Sequence, residues 1–309
     1  MVLSHRRLAK AAAVPGGDVT AQSVLGNVAA LEAAYDCART DEPFSVAALR
    51  AIHRRLFEGT ADERLGGVVR TRQNWIGGNA SSPINAEFVP PPEDDVERLL
   101  GDLSEFCNRV DLPPVLQAAV AHAQYETIHP FMDGNGRAGR ALIGMVMIRR
   151  GTSHRVLPPI SLVLAGDSDA YVRGLTAYRR TDGGDWLTFF ADTVCRAADL
   201  SEVLAARVRQ LQERWREAAG NPRAGSAPRK LIEALPSYPI LTFGTAQQIT
   251  GLGPEACRLA LNRLEKAGVL AETTAGKRNR VWESVGLFQL LDELEGEAGD
   301  PRRTPVGTR

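Results

Sequence analysis

The stretch His129–Arg140, H-P-F-M-D-G-N-G-R-A-G-R, places one histidine, one carboxylate, three glycines and two arginines within twelve residues. Gly134 and Gly136 let a backbone turn tightly and bring its N–H groups against a ligand. A helix beginning near Asn135 offers unpaired N–H donors and the positive end of its dipole, a seat for phosphate oxygens. Arg137 and Arg140 lie three apart, so both side chains point to one side of the first turn and grip further phosphates. Asp133 is a hard oxygen ligand suited to a Mg²⁺ that keeps most of its waters. His129, four residues earlier, is a general base near neutral pH. The pattern predicts a polyphosphate nucleotide site with a base beside one phosphorus.

Other chemistries fit these residues poorly. Gly134 to Gly139 also spells G-x-G-x-x-G, the dinucleotide fingerprint, which needs a preceding strand and an acidic residue about twenty positions on. Here a helical pattern precedes it and the next acidic residue is Asp167. Gly251-x-Gly253-x-x-Ala256 lies between two short helical patterns and reads as a turn. Glu126-x-x-His129 is half of a di-iron carboxylate pattern, and no second E-x-x-H exists. A plain helix end followed by a glycine turn leaves the arginines and the aspartate unexplained.

The elements that must position this segment are mostly helical. Val24, Val28, Leu31 and Tyr35 form one stripe of a helix, and Ser45 caps a second one running through Leu56. From Val68 to Pro92 the pattern turns extended, a short hairpin with a polar bend. Helices resume over Asp94–Cys107 and Pro114–Ile128, and another follows Gly136 to Arg149-Arg150-Gly151. Two more flank Thr181–Asp185 and end near Arg207. Glu217–Pro228, rich in Ala, Gly and Pro, reads as a linker. Beyond it, helices at Arg229–Leu235, Thr245–Thr250 and Glu255–Ala267 precede strands at Val269–Thr274 and Asn279–Glu283. That is the layout of a winged helix-turn-helix. The expected organisation is therefore a catalytic part over residues 1–207, a linker helix with the Ala/Gly/Pro linker over 208–228, a winged helix over 229–292 and a fraying tail over 293–309.

The 309 residues allow about two domains, and 44% hydrophobic with 24% charged residues exclude a disordered or collagen-like chain. Lys plus Arg and Asp plus Glu both number 37, so whole-molecule attraction to nucleic acid or anionic lipid is not expected. No run of about 18 apolar residues is present to span a membrane. Cys37, Cys107, Cys195 and Cys257 form no C-x-x-C pair and suit a reducing compartment, with the cytoplasm as the expected location.

The segment resembles the Fic family signature, H-P-F-x-[D/E]-G-N-G-R-x-x-R, at every specified position. The resemblance extends over roughly Gln22 to Arg207. Arg70-Thr71, Gln73 to Gly78 and Phe88 to Pro92 are similar to the family's flap hairpin, and the C-terminal winged helix to a frequent companion of such domains. It implies a mainly α fold, a Fic-type bundle with a β-hairpin flap plus a small winged helix-turn-helix domain. It also implies transfer of AMP from ATP to a Ser, Thr or Tyr hydroxyl of a target protein, or of the chain itself. By the resemblance His129 takes the hydroxyl proton and Asp133 holds Mg²⁺. Gly134, Asn135 and Gly136 form the anion hole, Arg137 and Arg140 bind outer phosphates, and buried Phe131 anchors the loop. Tyr171 resembles the family's adenine-side tyrosine, although Val172 stands where many members repeat it. Ile76, Gly77 and Gly78 would pair with an extended target segment like an added strand.

The family's restraining helix, [S/T]-x-x-x-E-[G/N], is absent from residues 1–309, so Arg140 is expected to be free. The region that Val2–Leu8 resembles follows that helix, which implies either a start just beyond it or a separate inhibitory protein. A second copy of the chain and DNA at the winged helix are the other candidate partners. Arg258, Arg263, Lys277, Arg278 and Arg280 would face such DNA, against Glu255, Glu265, Glu272 and Glu283. A DNA-binding regulator with a sensory or inactive Fic domain is the alternative function. His53 and His122 read as packed residues, Trp75 as part of the flap arm, and Trp186 with Phe189 and Phe190 as core.

Overall fold

The computed structural model describes residues 4–14, 18–78, 82–152, 157–180, 183–273 and 280–298. Helices dominate. In chain order they are α1 (His5–Ala13), α2 (Val19–Ala38), α3 (Val46–Phe57), α4 (Val96–Cys107), α5 (Pro114–Ile128), α6 (Asn135–Arg149), α7 (Ile160–Gly166), α8 (Ser168–Arg180) and α9 (Gly184–Ala218). Then come α10 (Ala227–Ala234), β1 (Ile240–Thr242), α11 (Phe243–Thr250), α12 (Pro254–Lys266), β2 (Leu270–Glu272), β3 (Val281–Ser284) and α13 (Leu287–Ala298). The chain divides into two compact units, Ser23–Ala198 and, together, Met1–Gln22 with Asp199–Arg309.

In the Ser23–Ala198 unit, α5 and α6 pack against each other at the centre and are buried on most sides. Alanines at 118, 119, 121, 123, 138 and 141 keep these two helices thin where they meet their neighbours. Around them stand Leu49, Ile52 and Leu56 of α3, Leu100 and Leu103 of α4, and Trp186 and Phe190 of α9. Ser45 caps α3, its Oγ accepting from the Ala48 amide at 3.3 Å. In α2 the buried stripe is Ala30, Ala34 and Ala38, whereas Val28 is 41% exposed. The expected valine-leucine stripe is thus rotated. Small residues win the inner face because Tyr35 lies directly over Gly144 of α6, leaving no room for a β-carbon there.

The other unit carries a three-stranded antiparallel sheet in the order β1-β3-β2, with Leu241 opposite Trp282 and Glu272 also opposite Trp282 on the far side. Leu231, Leu235, Leu261 and Leu264 fill the space between that sheet and helices α10 to α12. Two features were not legible in the sequence. The short strand β1 pairs with β3, and α1 joins this unit instead of the residues 1–207 it was grouped with. Ala9, Ala13 and Val14 lie on the cluster of Ile240, Val281 and Phe288. His5 Nδ1 meets Asp292 at 2.8 Å and Arg6 Nε meets Glu283 at 3.0 Å.

The stretch read as a linker is packed as well. Trp215 is buried with its indole N–H donating to the Val285 carbonyl at 3.0 Å, and Arg263 Nε donates to the Ala219 carbonyl at 3.1 Å. The reason is amphipathicity. Leu211, Trp215 and Ala219 repeat every four residues and make one apolar stripe along the end of α9 and just past it. Of the expected tail, the first part belongs to α13, which runs to Ala298 with Leu294 and Ala298 buried, and residues 299–309 lie outside the described residues. A chain ending at Pro228 therefore strips cover from Leu211 and Trp215. It should bind an apolar dye and melt without cooperativity, whereas residues 23–198 should melt in one transition, as followed by calorimetry.

Candidate active site

Helix α5 ends because Pro130 cannot continue it, and His129 caps it in the left-handed region at φ 47° and ψ 61°. That turn releases carbonyls from the helix end, and Arg70 collects them. Its guanidinium, 3% exposed as a residue, donates to the His129 carbonyl at 3.0 Å and to Ile128 at 3.4 Å. The same group donates to Arg72 at 3.3 Å and Pro91 at 2.5 Å, the two arms at the base of the flap. Asn74 adds a donor to the Phe131 carbonyl at 2.9 Å.

The loop beyond is closed on itself. The Asn135 side chain accepts from the Phe131 amide at 2.9 Å and donates to the Phe131 carbonyl at 2.7 Å. Asn135 therefore offers a ligand only its backbone, its amide being spent on the loop. Phe131 is fully buried and stacks on His53 with ring centroids 3.6 Å apart. His53 is a strut: its Nε2–H donates to the Asp133 carbonyl at 2.8 Å and its Nδ1 accepts from the Gly67 amide at 2.9 Å. Burial pulls its pKa down to about 4, so the ring stays neutral and keeps that tautomer. Gly134 turns the chain at φ 77°, a conformation and a space that only glycine tolerates, since a β-carbon would press on Phe57 and His53.

Helix α6 then starts with Gly134 as its cap, which has no side chain to satisfy the N–H groups of the first turn. Arg137 lies over the Phe57 ring at 5.2 Å and bonds Asn27 at 3.2 Å. Its guanidinium is 3.7 Å from Asp133, whose side chain is 67% exposed and accepts from the Gly134 amide at 2.6 Å. Arg140 has no carboxylate within ion-pair distance among the described residues; it sits against the Tyr171 hydroxyl. Tyr171 on α8 is bonded at 2.9 Å to His122, whose other nitrogen donates to the Gly139 carbonyl at 2.9 Å. Because a carbonyl can only accept, His122 carries its proton on Nδ1 and accepts a hydrogen bond from the Tyr171 hydroxyl at Nε2. His122 thus holds the tyrosine in place.

The structure brings His129, Asp133, Gly134, Asn135, Gly136, Arg137 and Arg140 onto one turn between two helices, with Tyr171 behind Arg140. Ile76 pairs with Phe88 in the flap, its amide donating to the Phe88 carbonyl at 2.9 Å, and Gly77 and Gly78 follow in the left-handed region. The flap tip, 79–81, lies outside the described residues. Sequence reasoning missed two charged residues here. Arg179 of α8 covers the Phe88 ring at 3.8 Å and donates to the Glu126 carbonyl at 3.3 Å. Glu126 is 5% exposed beside His129. Burial first, then Arg179 and Arg70, pulls the His129 pKa down to about 4, against the Glu126 backbone carbonyl and Asp133. The ring is therefore unprotonated and able to accept a proton at neutral pH.

The site thus sets an unprotonated histidine at one helix end beside a glycine-capped helix start and two arginines of a helical domain. Residues 43–147 match the Fic/DOC family model. The protein adenylyltransferase fic-1 of Caenorhabditis elegans is 32% identical over 149 residues, 47% of this chain and 28% of that protein. The protein adenylyltransferase Fic of Aedes aegypti is 32% identical over 152 residues, 48% of this chain and 27% of its own length. The matches thus span little more than a quarter of these curated relatives. A crystal structure of a Fic family protein from Desulfovibrio desulfuricans G20 superposes with a TM-score of 0.54 at 21% identity. It covers 92% of this chain and 82% of that one, and the fold is of the Fic type.

Replacing Arg70 with Met keeps the bulk of the stem but removes the donor from the Ile128, Arg72 and Pro91 carbonyls and leaves the His129 carbonyl with Asn74 alone. Urea unfolding should show a loss of about 2–4 kcal/mol for Arg70→Met, while Arg72→Met, at an exposed position, should change stability by less than about 0.5 kcal/mol.

Proposed function

We propose that this chain is a protein adenylyltransferase, transferring AMP from ATP to a Ser, Thr or Tyr hydroxyl of a target protein. The observation that carries the reading is the turn from His129 to Arg140. It sets an unprotonated imidazole beside uncapped helix N–H groups and an arginine free of carboxylate partners. The similarity to relatives named protein adenylyltransferase supports it.

The first-turn amides of Asn135 and Gly136 receive phosphate oxygens at the positive end of α6, and Gly134 joins them when its amide exchanges Asp133 for a phosphate oxygen. Arg137 and Arg140 bind the outer phosphates, and Tyr171 borders the base. As the target oxygen forms its bond to the α-phosphorus, the bond from that phosphorus to the β-bridging oxygen breaks and pyrophosphate leaves. The hydroxyl proton passes to His129. Asp133 suits Mg²⁺, a single exposed carboxylate oxygen at the lip of the loop, and the ion would neutralise phosphate charge. The flap at Ile76, Gly77 and Gly78 presents backbone to an extended target segment.

The unit with α10 to α12 and the β1-β3-β2 sheet we read as a winged helix-turn-helix, supported by the order of its elements and the antiparallel β2–β3 pair. It is a weak match to DNA. Arg258 pairs with Glu255, Arg263 is turned onto the Ala219 carbonyl, and Arg280 pairs with Glu265 and Glu272. Lys277 and Arg278 lie outside the described residues. No described helix is long and apolar enough to cross a membrane. We place the chain in the cytoplasm on its cysteine usage.

Incubation with labelled ATP, Mg²⁺ and cell lysate should label the chain or a target, and His129→Ala should abolish the label; equal labelling by that variant would exclude histidine base catalysis. Arg140→Ala should raise the ATP KM tenfold or so while changing ADP affinity little, as measured by titration calorimetry. Wild-type protein should need no activating substitution, because Arg140 is not held by a carboxylate among the described residues.

A further inference from the structure

One pair of charged groups at the site is left over by the reaction just described. Glu126 lies one helical turn before His129 on α5, with Oε2 3.8 Å from the His129 Nδ1 atom and its side chain 7% exposed. Nδ1 of His129 and Oε1 of Glu126 are both sealed from solvent, and neither makes a hydrogen bond. The helix opposite leaves room for this carboxylate. A β-carbon at Gly139 of α6 would fall on Glu126 Oε1, so any larger residue there would expel it. A buried carboxylate kept beside a buried imidazole nitrogen, with space reserved for it, is costly unless the two meet.

We propose that Glu126 is the positioning residue of the transfer reaction: its carboxylate accepts the Nδ1 proton of His129, fixing the ring with Nε2 as the base that faces the target hydroxyl. The inference rests on the adenylyltransferase reading. The proton balance is closed. The target O–H bond breaks as the oxygen–phosphorus bond forms, the proton moves to Nε2, and pyrophosphate departs with the bonding pair. The imidazolium then carries protons on both nitrogens, and ionised Glu126 is its counter-ion throughout.

The neighbours set the pH at which this works. Burial pushes Glu126 up to about 7, while Arg140 of α6 and Arg179 of α8 pull it back. Tyr125 on α5 and Tyr171 on α8 are held neutral by burial and by Glu126 itself. His129 faces Arg179, Arg70 and Asp133. Only ionised Glu126 supplies the negative charge that balances the imidazolium, so kcat/KM should fall as pH drops through the neutral range. That limb belongs to the glutamate and should vanish in Glu126→Gln.

The rival acceptor is the Glu126 backbone carbonyl, which also favours protonated His129 and survives any change of side chain. Ring ¹H–¹⁵N spectra of the full chain, with His129 assigned by its absence in His129→Ala, separate the two. We expect the Nδ1–H form in wild type and a shift toward the Nε2–H form in Glu126→Met. Glu126→Gln keeps an acceptor without the charge. It should lose kcat about tenfold to a hundredfold with the ATP KM within about twofold, and Glu126→Met should lose more. Unchanged tautomer, kcat and pH profile in both variants would overturn the proposal in favour of the carbonyl. A rise in ATP KM with kcat intact would overturn it in favour of a role on Arg140. If wild type transfers no AMP the functional reading fails, and the spectra still decide whether the carboxylate holds the ring.

Discussion

The site depends on how α5 stops. A proline and a left-handed histidine end the helix abruptly, and the carbonyls this frees must be satisfied in a buried place. Arg70 satisfies them with one planar group that also ties down Arg72 and Pro91. The backbone of the proposed base and the root of the proposed target-binding edge are thereby fixed by the same guanidinium. A lysine could not do this, since its ammonium is a point charge on a flexible stem with no fixed fork of donors.

Three histidines lie in or under this site, and their bonding sorts them. His53 and His122 each use both ring nitrogens, one as donor and one as acceptor, to neutral groups. Burial drops both to about 4, so neither charges near neutral pH and neither loses its tautomer. They are rigid spacers, one under the loop and one behind Tyr171. His129 has the same depressed pKa but no such pair of bonds. The ring that is left incompletely bonded is the one placed to exchange a proton.

Much of this was legible because it is local. The spacing from His129 to Arg140, the Ser45 cap and the ends of α5 all follow from residues within a turn or two of one another. What was not legible is long-range. Glu126 looked like half a metal motif because its meaning comes from the gap at Gly139 on another helix. Arg179 shows no pattern in the sequence, and only the packing of α8 sets it over Phe88. Helix α1 was misplaced for the same reason. Its partners, Glu283 and Asp292, are far along the chain, and no periodicity announces them. The packing of the linker helix was not legible either, because the four-residue stripe of Leu211, Trp215 and Ala219 has its partners far along the chain.

The partners of the arginines at the site differ from those of the surface arginines, which pair with carboxylates in both units. At the site, Arg70 is held by carbonyls and Arg140 lies against a hydroxyl. Arg179 is held by a ring, a hydroxyl and a carbonyl. Arg137 rests on a ring and an amide, with Asp133 no closer than 3.7 Å. Dipoles and ring faces orient a cation without cancelling its charge, which leaves Glu126, buried between Arg140 and Arg179, as the one carboxylate among the described residues acting on both. In the C-terminal unit, Arg258 and Arg280 meet carboxylates directly and their fields are cancelled at short range. Neutral net charge over the whole chain therefore says little about the start of α6, where Arg137 and Arg140 lie within one turn and neither meets a carboxylate closer than 3.7 Å among the described residues.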